Sequence, residues 1–101
     1  MTSTIRKEQT RRQQDQQDCA FLNVIAATYI RFGQHQKAYD VLMLAYSADS
    51  ENEETLCLLA MVSIRVGQPS VTIAIITMLE NLIGNLSDFH RTLKDRATRN
   101  T

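Results

Sequence analysis

At 101 residues, with 44% apolar residue types and eleven basic against eleven acidic side chains, the chain has the size of one small domain and no net charge to draw a polyanion. Residues 1–18 hold four basic and three acidic groups, residues 19–84 three and six, and residues 85–101 four and two. No block is basic enough for a nucleic-acid interface. Two cysteines, Cys19 and Cys57, lack Cys-x-x-Cys spacing and read as reduced thiols of a cytoplasmic protein rather than a disulfide framework.

The chain opens on a polar leader, residues 1–17. Gln9, Gln13, Gln14, Gln16 and Gln17 lie among charges there, and Ile5 is the only large apolar side chain between Thr2 and Asp18. With nothing to bury, the leader is expected to be solvated, frayed or disordered, and residues 18–101 to form the domain. No apolar segment follows the first charges, so no secretory signal is expected. A first helix is predicted from about Asp18 to Phe32, ended by Gly33, and a second from near Gln36 to about Ala48. Ser50 followed by Glu53 matches a capping box, which predicts a third helix to Val66 with Glu51, Glu53 and Glu54 at its positive end. Gly67-Gln68-Pro69 breaks the chain, and Pro69 suits the first turn of a fourth helix to about Ile83. Ser87-Asp88 can cap a fifth through Ala97. Val71 to Leu79, among the most apolar stretches, is too short to span a bilayer, so no membrane insertion is expected.

One pentapeptide occurs twice. Ile30-Arg31-Phe32-Gly33-Gln34 returns as Ile64-Arg65-Val66-Gly67-Gln68, a period of 34 residues, that of the tetratricopeptide helix-turn-helix repeat. The register extends through Leu22 and Leu56, Ile25 and Leu59, Ala26 and Ala60, and Leu42 and Ile76. It is looser at Tyr29 against Ser63 and at Ala38 against Thr72, and Ser50 and Gly84 stand where the repeat usually ends on proline. The expected fold is all-α: two tetratricopeptide-like helical hairpins plus a C-terminal closing helix.

In such a stack the first helix of each repeat lines a concave groove. The register assigns to it Ala20, Asn23, Ala27, Ile30 and Arg31 from one repeat and Glu54, Cys57, Met61, Ile64 and Arg65 from the other. Ala27, Ile30, Cys57, Met61 and Ile64 form a stripe suited to an apolar helix or extended peptide, with the two arginines at one rim. The alternative is that this stripe is core, covered by a terminal segment. A clamp for a chain-terminal carboxylate, which needs fixed positive donors, is not expected from Asn23, Ala27, Cys57 and Met61. No catalytic residue, metal or cofactor is expected either. His35 and His90 have no cysteine or second histidine at metal-ligand spacing and read as surface residues. Residues 36–48 offer only Lys37 as a basic contact for a DNA-reading helix.

Gln16-Gln17-Asp18 before an apolar helix, then Gly33-Gln34-His35-Gln36-Lys37-Ala38 and a helix through Leu42-Met43-Leu44, resembles the small tetratricopeptide-like chaperones of bacterial type III secretion. The YscY type is most similar and the YscG-type needle chaperones next, over residues 16 to about 83. The resemblance implies a cytoplasmic chaperone that holds a small export substrate in its groove, either a YscX-like component or a needle subunit, and delivers it to the secretion apparatus, with the export gate or a co-chaperone as further partners. The competing expectation is a general repeat adaptor or a homodimerising scaffold.

Overall fold

The computed structural model describes residues 2–84 and 88–100, with side chains from Lys7 onward and, after Gly84, from His90. Five helices follow one another: α1 (Thr2–Arg31), α2 (His35–Ala48), α3 (Glu53–Arg65), α4 (Pro69–Ile83) and α5 (Asp88–Arg99). No strand occurs among the described residues. The fold is all-α. Helices α1 and α2 form one hairpin, α3 and α4 a second, and α5 closes the far end against α4 and α3.

The duplicated pentapeptide is a duplicated helix stop. Gly33 and Gly67 have φ of 73° and 79°, the left-handed region where a Cβ is penalised. Gln34 N donates to Tyr29 O at 2.9 Å and Gly33 N to Ile30 O at 3.0 Å, and 34 residues later Gln68 N donates to Ser63 O at 2.8 Å and Gly67 N to Ile64 O at 3.3 Å. This pair of bonds satisfies the last free carbonyls of each helix. The two turns therefore redirect the chain in the same way, which is why the hairpins stack in register.

The two looser positions of the second repeat prove to be neighbours. Ser63 Oγ lies 2.6 Å from Thr72 Oγ1, both buried, so a hydroxyl pair joins α3 to α4 at the positions where the first repeat has the large Tyr29 and the small Ala38. Each hydroxyl also has a backbone carbonyl within reach, Ala60 O at 3.2 Å from Ser63 Oγ and Gln68 O at 3.4 Å from Thr72 Oγ1, so whichever hydroxyl accepts across the pair can donate to its own backbone.

Two elements begin elsewhere than expected. Helix α1 starts at Thr2 rather than near Asp18, so the leader, expected to be frayed or disordered, continues the helix. From Lys7 to Asp18 its side chains are exposed except for the half-buried Asp15; glutamine, arginine and lysine are good helix formers, and no glycine or proline interrupts them. Helix α3 is capped by Asn52, not by a Ser50 box. Asn52 Oδ1 accepts from Thr55 N at 3.0 Å, while Ser50 and Glu51 sit in the preceding turn, where Glu51 N donates to Asp49 Oδ1. Asparagine is a strong cap in its own right. The predicted Ser87 cap of α5 lies outside the described residues.

The core runs between the layers. Leu42 from α2, Leu56 and Leu59 from α3, and Ile76 and Leu79 from α4 are fully buried with Ala26, Ala38 and Ala60, and Leu93 of α5 closes the cluster. Lys94 of α5 also pairs with Glu80 of α4 at 3.4 Å.

The candidate groove

Four of the ten groove residues meet in one depression. Ile30, Arg31, Met61 and Arg65 line a cavity of about 310 Å³ together with Gly33, His35 and Val62. Both copies of the pentapeptide contribute, because each places an arginine in the last turn of its helix, at the same end of the stack. The floor is aliphatic and thioether; the rim is cationic. Arg31 and Arg65 are exposed, and neither has an ion-pair partner among the described residues. A desolvated carboxylate beside two guanidinium groups gains charge-assisted hydrogen bonds, and no acidic side chain lines the cavity.

His35 was expected at the surface. It is half-buried at the start of α2, and its Nδ1 is buried with no hydrogen-bond partner among the described residues. No signal in the sequence separates it from a turn residue, since its burial depends on how α3 crosses the first turn.

The other six groove residues are distributed along α1 and α3. Ala27, Cys57 and Ile64 are half-buried, and Cys57 and Ile64 pack against the core. Ala20 and Glu54 are exposed. Asn23 is not available to a partner: it is fully buried in a polar cluster between α1 and α3. Thr55 Oγ1 donates to Asn23 Oδ1 at 2.8 Å, and Asn23 Nδ2 donates to the cap oxygen of Asn52 at 3.2 Å. Cys19 Sγ lies 3.0 Å from Thr55 Oγ1. Thr55 Oγ1 also lies 3.2 Å from the cap oxygen of Asn52, so its single hydroxyl hydrogen has more than one acceptor in reach, and either it or the Cys19 thiol can be the donor between them. Asn23 was assigned to the groove by helical spacing alone, but the N-cap of α3 draws its side chain inward.

Charge varies along the groove. Glu53 and Glu54 lie in the first turn of α3 and Arg65 in its last, roughly 16 Å away at 1.5 Å per residue. The Cys57 thiol, between them, is pushed above its ordinary value of 9.0 by burial first and then by Glu53 and Glu54. Because its folded-state value is the higher one, the neutral thiol's contribution to stability is present below about pH 9 and is lost as pH rises through the folded-state value. Cys57 is therefore expected to react with iodoacetamide at pH 8 more slowly than a free cysteine, and mass-spectrometric rates on the native chain check this. An equal or faster rate would mean that the site is wetter than its geometry.

Cys19 and Cys57 are both free thiols, and no described helix is long and apolar enough to cross a membrane. No protein-family model, curated protein or solved structure matches the chain. The groove is thus read from its own residues.

Proposed function

We propose that this chain is a non-catalytic binding module that holds a segment of a small polypeptide in the α1/α3 groove. The observation that carries the reading is the cavity that Arg31 and Arg65, without an ion-pair partner among the described residues, line together with Ile30, Met61 and Val62. Its chemistry suits an apolar side chain flanked by a carboxylate. The acidic Glu53/Glu54 end favours a segment whose basic end lies there and whose acidic end lies at the arginines, which fixes its direction.

The sequence resemblance makes the partner specific. Under that reading the module is a cytoplasmic type III secretion chaperone, its ligand a YscX-like component or needle subunit kept soluble until it is handed to the export gate, with or without a co-chaperone. An apolar stripe that shields an aggregation-prone helix fits a holding role, and Met61 can adapt to irregular partners.

The test uses charge, because Arg31 and Arg65 are exposed and their replacement spares the core. Polypeptides co-purified from the native cell are identified by mass spectrometry, and the smallest secreted one is then titrated against Arg31→Glu/Arg65→Glu protein. The expected result is at least about tenfold weaker binding, or 1.4 kcal/mol, with an unchanged thermal melt. Unaltered affinity would place the partner elsewhere, and failure to recover any secreted polypeptide would remove the secretion reading.

A further inference from the structure

The two ends of the stack are not equivalent. At the C-terminal end α5 turns Leu93 and Ala97 inward and exposes Arg91, Asp95, Arg96 and Arg99, the polar outer face that a solenoid needs to end. At the N-terminal end no described helix covers the outer face of α1. Phe21, Val24 and Phe32 are 66%, 64% and 75% exposed, and Leu44 of α2 is 61% exposed.

The 34-residue register shows what this face is built for. Phe21, Val24, Thr28, Phe32 and Leu44 correspond to Thr55, Leu58, Val62, Val66 and Met78. In the second repeat Thr55 is fully buried against Cys19 and Asn23 of the first, and Val62 is 1% exposed. Leu58, Val66 and Met78 pack against the core, with Tyr46 Oη reaching the Met78 sulfur at 3.8 Å. These are the positions by which one hairpin sits on the previous one. In the first repeat four of the five are large apolar side chains, the fifth, Thr28, turning its hydroxyl onto Val24 O at 2.9 Å, and all five face solvent.

We propose that two copies of this chain pair head to head through this face, forming a closed two-fold dimer. Among the described residues no other element covers it, since the leader continues α1 itself. Head-to-tail stacking is disfavoured, because the opposite end presents the charged surface of α5. Two apolar ends facing each other satisfy both at once and leave no free interface to propagate. Phe21, Val24, Thr28 and Phe32 follow a spacing of three, four and four, so they form one stripe on α1, and an antiparallel crossing brings the middle of that stripe, Val24 and Thr28, next to the two-fold axis. With roughly 150–250 Å² per aromatic side chain, the stripe and Leu44 supply on the order of 500 Å² per copy, the main part of the ~800 Å² that each partner buries in a standard interface. The groove occupies the adjoining face of α1, with Ala20 and Arg31 one helical turn from Val24 and Thr28; the pairing does not rest on what the groove binds.

Sedimentation velocity of the full chain without any partner tests this. The expected result is a concentration-dependent dimer across about 1–100 µM, weakened at least about tenfold by Val24→Glu with no change in helix content. Val24→Cys or Thr28→Cys is expected to give a self-linked disulfide dimer on oxidation, which the parent does not give because Cys19 is buried and Cys57 lies in the groove. These cysteine variants also keep the question answerable if Val24→Glu fails to fold. A monomer throughout the range, a dimer that survives Val24→Glu, or failure of both cysteine variants to cross-link would overturn the proposal.

Discussion

Leu59→Ala is expected to be the most damaging single truncation of the core, costing about 2–5 kcal/mol. Leu59 is fully buried on α3, and α3 is the helix that touches all four others. Removing its side chain opens a void where neither hairpin can move inward without leaving the other, so the site collapses little and the cost should fall in the upper half of that range. A domain of this size has only about 5–15 kcal/mol to lose. Thermal denaturation followed by circular dichroism should show the midpoint falling by roughly 15–40 °C. A drop of only a degree or two would mean that the layers between α3 and its neighbours are loosely packed.

Ala38→Leu is expected to destabilise by roughly 1–3 kcal/mol through the opposite fault. Ala38 has no exposed surface and sits in the core cluster of α2, where added carbons can be accommodated only by pushing α2 from its neighbours. The adjacent position supplies the control. Lys37 is exposed and its ammonium stands 5.9 Å from the centre of the Tyr29 ring, so Lys37→Leu should forfeit no more than about 0.5–1 kcal/mol of cation–π attraction. Urea unfolding of the two variants and the parent should place the midpoints in the order parent, Lys37→Leu, Ala38→Leu. Coincident midpoints for the two variants would mean that the small-residue contact lies elsewhere.

Much of this architecture was legible because it depends on local chemistry. Gly33 and Gly67 mark helix ends by their backbone freedom, Pro69 marks a helix start, and the 34-residue period requires no knowledge of the contacts it produces. The cap of α3 was misread because Ser50 and Asn52 are both competent caps, and only the turn preceding the helix, tied by Asp49 to Glu51, selects between them. One groove residue suffered from a similar ambiguity. Helical spacing fixes the angle of Asn23 on α1 but not the partner waiting at that angle, so a buried amide was counted as surface. His35 failed in the reverse direction. The pairing of Ser63 with Thr72 could have been inferred, since two departures from one pattern that replace a large and a small side chain by two small hydroxyl side chains imply contact.

The continuity of α1 has a thermal consequence. A polar segment of that composition standing alone would have to nucleate its own helix, an event disfavoured by a factor of about a thousand. Attached to the packed half, it needs only to propagate from Asp18 toward the start of the chain, one hydrogen bond per residue. With no apolar surface to hold it, each added turn is close to neutral in free energy. The leader should therefore shorten gradually from its far end as temperature rises, well before the hairpins separate. The helical signal would then decline along a slope ahead of the cooperative transition, and the molecule would lose reach continuously while its core remained intact.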